Sequence, residues 1–253
     1  MTATPTTSLP LLGKAALVTG GSRGIGAATA RKLAADGADV ALTYVSGEGR
    51  AKEVAEDIRA LGRHALAFRS DSASATDPAE AVHHTAREFG RFDILVNNAG
   101  IFPSSPLAEI ALEDIDRTLA VHVRAALLAA QAAAGHMTEG GSIITIGSNL
   151  AERVPGPGMT LYAASKAALN GLTRGLARDL GPRGITANLV QPGPTDTDMN
   201  PADSAKADGQ RALTALGRYN TPERVAALVA FLAGEAGAGS TGAVFTVDSG
   251  VNA

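Results

Sequence analysis

Only one of the three tyrosines, Tyr162, is followed by a lysine four residues on, in Tyr162-Ala163-Ala164-Ser165-Lys166. On a helix that spacing puts both side chains on one face. An ammonium beside a phenol stabilises the phenolate and lowers the tyrosine pKa toward the working pH, so such a tyrosine can give a proton to a carbonyl oxygen. Ser148, at the end of an expected strand, can hydrogen-bond the same oxygen. A lone Tyr-x-x-x-Lys is also a common surface-helix pair, so its meaning depends on what accompanies it.

The second chemical signal is the run Thr19-Gly20-Gly21-Ser22-Arg23-Gly24-Ile25-Gly26. Its glycines permit a sharp turn and let a pyrophosphate approach the backbone, with the N–H groups and positive dipole end of the following helix facing the phosphates. The spacing differs from the usual GxGxxG, but the run follows the first expected strand and opens the first helix, which favours nucleotide binding over a bland turn. The second strand is expected to end near Tyr44, eighteen residues after Gly26. An acid there would bind a ribose 2′-hydroxyl. Tyr44 is not acidic and can pack on adenine, while Arg23 can pair with a 2′-phosphate. NADPH (or NADP+) is therefore expected over NADH.

These residues need a scaffold. Short β-rich runs at 15–19, 39–44, 64–69, 94–97, 142–146, 186–190 and 244–247 alternate with helical patterns near 25–36, 49–61, 77–89, 113–134, 160–180 and 222–233. That alternation predicts an α/β Rossmann fold: a single doubly wound domain with a seven-stranded parallel sheet covered on both faces. Thr76-Asp77-Pro78 and Thr221-Pro222-Glu223 carry helix-start chemistry. The irregular segment 191–217 breaks the alternation, with a short helix expected near 203–216; an insertion of this kind reads as a substrate loop, centred on 195–217. Residues 1–12 read as a disordered lead-in and 13–253 as the domain, with no linker or repeat.

Composition narrows the function classes. The 253 residues carry a net charge of −3, so nucleic acid and anionic membrane are poor partners. Without cysteine there is no disulfide, thiolate catalysis or zinc–cysteine site. The apolar run Ala125 to Ala134, broken by Gln131, is too short to span a bilayer, and the first ten residues lack signal-peptide features. A cytoplasmic protein acting on a small molecule is expected.

Taken together, the motifs resemble the short-chain dehydrogenase/reductase family, over nearly all of residues 13–253. The pattern comprises the loop at 19–26, Asp71 after the third strand, Asn97-Asn98-Ala99-Gly100 after the fourth, then Ser148, Tyr162, Lys166, and Pro192-Gly193 after the sixth. The resemblance implies reversible hydride transfer between NADPH and a ketone or 3-oxoacyl carbonyl, as in 3-oxoacyl-thioester reductases and carbonyl reductases. It makes Tyr162 the general acid/base, Ser148 the residue that orients the carbonyl, and Lys166 the group that binds nicotinamide ribose and lowers the tyrosine pKa. It puts Asp71, with Ser72, at the adenine, Asn98, Ala99 and Gly100 near the adenosine-side ribose, and the Pro192–Thr197 segment, including Thr195 and Thr197, at the carboxamide. It also implies a homo-oligomer, a tetramer, pairing the long fourth and fifth helices through residues such as Leu127, Leu128, Leu161, Leu169, Leu172 and Leu176. One position departs from the family: His122 stands where an asparagine usually supports a proton relay. Imidazole can also donate and accept, so His122 is either a relay member or a structural residue. His64, His83, His84 and His136 read as structural or solvated. The segment from Gln191 to Ala202 is similar to a bacterial branch that includes a cyclic-di-GMP-binding biofilm-dispersal protein, which leaves nucleotide binding as the alternative function.

Overall fold

The computed structural model describes residues 9–253. Its strands are β1 (Ala15–Val18), β2 (Asp39–Tyr44), β3 (Ala65–Arg69), β4 (Ile94–Asn97), β5 (Ser142–Ile146), β6 (Thr186–Pro192) and β7 (Val244–Val247). They form one sheet in the order β3-β2-β1-β4-β5-β6-β7, with every pairing parallel. The helices are α1 (Gly24–Ala35), α2 (Glu48–Ala60), α3 (Asp77–Phe89), α4 (Leu112–Leu119), α5 (Ala125–Ala134), α6 (Thr160–Leu180), α7 (Ala207–Ala212) and α8 (Pro222–Ala233). The single helix expected over 113–134 is interrupted: a π-helical turn, Ala120–Arg124, joins α4 to α5 and has His122 at its centre.

Alternate residues of each strand enter opposite layers, as the pleat requires. Ala16, Val18, Ile94 and Val96 pack with Leu33 of α1, Ile58 of α2 and Val229 of α8. Leu17, Leu95 and Ile143 pack with Val82 of α3 and Ala129 and Ala133 of α5. Alanine is the reason α5 lies so close to the sheet. Each fully buried leucine or isoleucine contributes about 1.5–3 kcal/mol of transfer free energy.

Part of the expected lead-in belongs to the core. Leu11 is fully buried, and its N–H donates to Asp36 O at 2.8 Å, closing off the end of α1. Burying Leu11 overrides the polar character of its neighbours, so the ordered domain begins before residue 13. Residues 1–8 of the lead-in lie outside those described. The threonines expected to open α3 and α8 do precede them, but neither hydroxyl caps its helix. At α3 the cap comes from Ser74, whose Oγ accepts from the N–H groups of Thr76 and Asp77, both at 3.2 Å.

Strand order reverses between β1 and β4, which opens a crevice at their carboxyl ends. Segment 191–217 arches over that crevice. It is held by Asn220 N–H on Pro194 O at 2.8 Å and by a reciprocal amide pair between Asn200 and Gln210. Within it α7 is shorter than expected, at Ala207–Ala212. No helix among the described residues is long and apolar enough to cross a membrane.

Candidate active site

The glycine loop owes its shape to residues with no side chain to lose. Gly20 and Gly24 adopt left-handed φ values of 66° and 53°. A Cβ on Gly26 would stand 2.3 Å from Gly20 O and 2.5 Å from Asn98 Nδ2, so only glycine fits. Asn98 explains the crowding: its amide donates to Thr19 O at 2.8 Å and Gly20 O at 3.1 Å. In return Thr19 Oγ1 accepts from the N–H groups of Asn98 and Ala99, both at 3.0 Å. The loops after β1 and β4 are thereby joined into one rigid floor. No side chain caps the start of α1, so its first N–H groups remain for an anion.

A cleft of about 730 Å³ runs over this floor. Gly20, Ser22, Arg23, Gly24, Ile25, Gly26, Tyr44, Asp71, Ser72, Asn98, Ala99, Gly100, Ser148, Tyr162, Lys166, Pro192, Gly193, Thr195 and Thr197 all line it. Asp71 is fixed at its rim, with Oδ1 accepting from Ala73 N–H at 2.9 Å and its own N–H donating to Asp77. The bare glycine backbone, the uncapped helix end and the flanking arginine make this a fitting cradle for a dinucleotide phosphate.

At the other end, the first two turns of α6 present Tyr162 and Lys166 to the cleft, both buried. Lys166 Nζ lies 5.9 Å from the Tyr162 ring centroid and donates to Ile146 O at 2.9 Å, using one of its three protons and leaving two for ligand oxygens. Ser148 Oγ accepts from Leu150 N–H at 3.2 Å, which turns its own proton outward for another acceptor. Tyr162 is clasped edge-on by Phe102, at 4.6 Å between centroids, and by His122, at 5.7 Å.

The electrostatics differ from the sequence expectation. Burial pushes the Tyr162 phenol above its ordinary value, and the hydroxyl of Ser148 only partly offsets this. Burial also lowers Lys166, to about 8. Two dehydrated groups both resist charging, so burial sets the direction for each. The tyrosine is therefore protonated at neutral pH, the form that donates.

His122 does not line the cleft; it stands behind Tyr162. Its Nε2 accepts from Ile101 N–H at 3.1 Å, which leaves the proton on Nδ1, 2.8 Å from Ser165 Oγ. Ser165 in turn donates to Tyr162 O at 2.7 Å. Burial, followed by the Lys166 charge, pushes the imidazole down to about 3. The ring stays neutral, and both its nitrogens are hydrogen-bonded within the protein, tying the loop after β4 to α6.

Several residues at the cleft escaped the sequence reading. Phe102 and Met199 give its reaction end an apolar wall. Arg50, in the first turn of α2, joins Arg23 on Asp198 of the arching segment. The motif Gly47-Glu48-Gly49-Arg50 just after β2 could have flagged Arg50; Asp198 is 148 residues further on, and only the fold brings them together. His136, read as structural or solvated, meets His83 at 2.8 Å on the surface.

A family model described as enoyl-(acyl carrier protein) reductase matches residues 20–252. A short-chain dehydrogenase from Burkholderia cenocepacia, solved with NADP, is 59% identical, with a TM-score of 0.95 over 96% of this chain and all of that one. The cyclic-di-GMP-binding biofilm dispersal mediator protein of Escherichia coli is 46% identical over 95% of this chain and 98% of its own length. Cyclohexanol dehydrogenase of a Rhodococcus species is 40% identical over 97% and 98%. Likeness of this extent, in sequence and in three dimensions, makes the chain a member of the short-chain dehydrogenase/reductase family, the NAD(P)-dependent oxidoreductases that act on CH–OH groups.

Proposed function

We propose that the protein is an NADP(H)-dependent carbonyl reductase that interconverts a ketone or 3-oxoacyl carbonyl and its secondary alcohol. The observation that carries this is the convergence of Ser148, Tyr162 and Lys166 on the cleft whose far end is the glycine cradle. A bound nicotinamide supplies the hydride, or takes it back in oxidation. As the carbonyl oxygen gains charge, the Tyr162 phenol gives it a proton and the Ser148 hydroxyl donates a second hydrogen bond. Lys166 holds its ammonium beside the phenolate left behind and offers its remaining protons to ribose hydroxyls. Asp71 and Ser72 serve the adenine end, Asn98 to Gly100 the adjoining ribose, and Pro192 to Thr197 the carboxamide. His122 positions Ile101 and α6, and through them the phenol. Phe102, Met199, Leu150, Met159 and Leu213 line the reaction end and favour an apolar substrate. NADPH over NADH is supported by Arg23 at the adenosine end and by the neutral Tyr44. The family relationship and exposed Leu127 favour a cytoplasmic homotetramer.

The test is absorbance at the nicotinamide band with a panel of apolar ketones and each cofactor. Turnover with NADPH exceeding that with NADH supports the reading, and preference for NADH defeats the cofactor assignment. A second reading, binding of a cyclic dinucleotide, is favoured by similarity to the biofilm-dispersal protein. It predicts that cyclic-di-GMP displaces NADPH from the wild-type protein in a titration, with no ketone turned over. A catalytic set that a binding protein would not need argues for the enzyme.

A further inference from the structure

The turn after β7, Asp248 to Asn252, stands between two elements that shape the reaction end of the cleft and is bonded to both. Toward the loop after β5, the Asn252 amide donates to Asn149 O at 2.9 Å, and Val251 O accepts from Arg153 Nη1 at 2.7 Å. Asn149 follows Ser148 directly, and the short helical turn it begins is capped by the Ser148 hydroxyl. Toward the arching segment, Ser249 O accepts from Leu216 N–H at 3.1 Å. Gly250 lies so close to that segment that a Cβ on it would stand 2.6 Å from Ala215 Cβ. Val251 itself is buried and lines the cleft with Ser148, Leu150 and Leu213.

The turn keeps a shape its own residues disfavour. Ser249 has a φ of 57°, the one positive value at a non-glycine position among the described residues, and its buried hydroxyl has no protein partner. A left-handed serine with an orphaned hydroxyl persists where its surroundings fix it. Here Asp248, also buried, accepts from the N–H groups of Gly250 at 2.8 Å and Asn252 at 2.9 Å. Its Cα and Cβ lie 2.6 Å from where a Cβ on Gly193 would be, so the base of the turn is wedged against the end of β6. The Ser148 loop needs such an anchor. Its pairing with β6 reaches only to Gly147, whose N–H donates to Val190 O at 2.7 Å.

We propose that this turn sets the geometry of the reaction end: Val251 is a specificity-determining residue that limits the bulk of the ketone accepted, and Asn252 is a positioning residue that acts through Asn149 on Ser148. The proposal rests on the carbonyl-reductase reading and adds these two residues to it. Valine is branched at Cβ and stiff, so it excludes bulk instead of adapting to it. Asn252 touches no part of the cleft lining except through the backbone next to the serine that orients the carbonyl.

The experiment uses the intact protein with NADPH and a series of apolar ketones of rising size. Val251→Ala is expected to shift kcat/KM toward the bulkier ketones by about tenfold, and Val251→Ile toward the smaller ones, with the NADPH Kd unchanged. Asn252→Ala is expected to lower single-turnover hydride transfer about tenfold with little change in KM. Asn252→Gln, which keeps an amide donor, should recover part of that rate. In a Ser148→Ala background, Asn252→Ala should have no further effect, because both changes remove one function. Hydrogen exchange across residues 148–153 should quicken in Asn252→Ala. An unchanged size preference in both Val251 variants overturns the specificity assignment. An additive loss in the double variant, or unchanged exchange, overturns the positioning assignment. A wild-type protein that reduces no ketone defeats the carbonyl-reductase reading instead, and the exchange measurement still decides whether Asn252 holds the Ser148 loop.

Discussion

At the scale of single residues, chemistry is set by burial. Dehydration raises the Tyr162 phenol above its ordinary value, and the same burial lowers Lys166 to about 8. Tyr162→Phe should lower ketone reduction about 10²–10⁴-fold while the NADPH Kd stays within a factor of two, since the phenol acts on the oxygen of the substrate and not on the cofactor's anchors. Single-turnover absorbance and fluorescence titration check both halves. The lysine sets the pH limb. Burial disfavours its charged form, so the ammonium is present below about pH 8 and lost above it. Reduction should therefore be level from pH 6 to 7.5 and fall as pH rises past 8; a rate still level at pH 9.5 sinks this assignment. His122 is neutral throughout that range, so its variants should not move the limb. His122→Leu leaves Ile101 N–H without its acceptor and should cost about 1–3 kcal/mol of stability. His122→Asn, which can accept the same bond, should recover most of the loss. Thermal unfolding beside turnover per folded molecule separates a tie from a relay, because a relay variant would lose turnover without losing stability.

At the scale of elements, the site depends on how closely the loop after β1 approaches the loop after β4. The contact is made by the Asn98 amide on Thr19 O and Gly20 O, over a glycine with no room for a methyl group. Gly26→Ala must push a Cβ into Gly20 O, so either the turn opens or α1 moves. Nucleotide binding should fall at least tenfold and the melting temperature should drop with it; calorimetry with and without NADPH reads both. Ser22→Ala, in the same loop without a packing conflict, should retain the melting temperature. The π-helical turn at 120–124 is the other decisive element. By widening the helix by one residue it sends the His122 ring inward to Ile101 and Ser165, while α5 still lays Ala129 and Ala133 on the sheet.

At the scale of the whole molecule, the surface carries apolar area that the sheet does not use. Leu127 of α5 is 49% exposed. On α6, Ala164, Ala168, Gly171 and Gly175 form an exposed row of small residues, three or four apart, across which another helix can come close. Leu169, by contrast, is buried within the subunit, so the expected interface loses that residue to the core. A homotetramer by light scattering at micromolar concentration is the expected result. Leu127→Glu should lower the mass to that of a smaller species without changing the circular dichroism of the fold. A wild-type monomer would refute the assembly.

Much of this was legible in the residues themselves. All seven strands lie within two residues of where the apolar runs predict them, and the central ones, such as β1, β4 and β5, are buried throughout, which demands near-continuous hydrophobic runs. The glycine loop and the Tyr162–Lys166 spacing are local, since each is written within one turn or helix face. The direction of the Tyr162 pKa was not legible: spacing shows the lysine, while the desolvation that raises the phenol comes from residues packed around it. Nor was the role of His122, which depends on a backbone N–H and a serine from two other elements. Leu11 looked like part of a polar lead-in until the end of α1 gave it a place to be buried. Arg23, Arg50 and Asp198 lie far apart along the chain and form one cluster only where the arching segment crosses the crevice. The sequence by itself determined the periodic elements and the local motifs, because these depend on neighbours along the chain. Tertiary structure alone decided protonation, the neutral tie and the arginine pair, because dielectric, hydrogen-bond partners and charge clusters belong to neighbours in space.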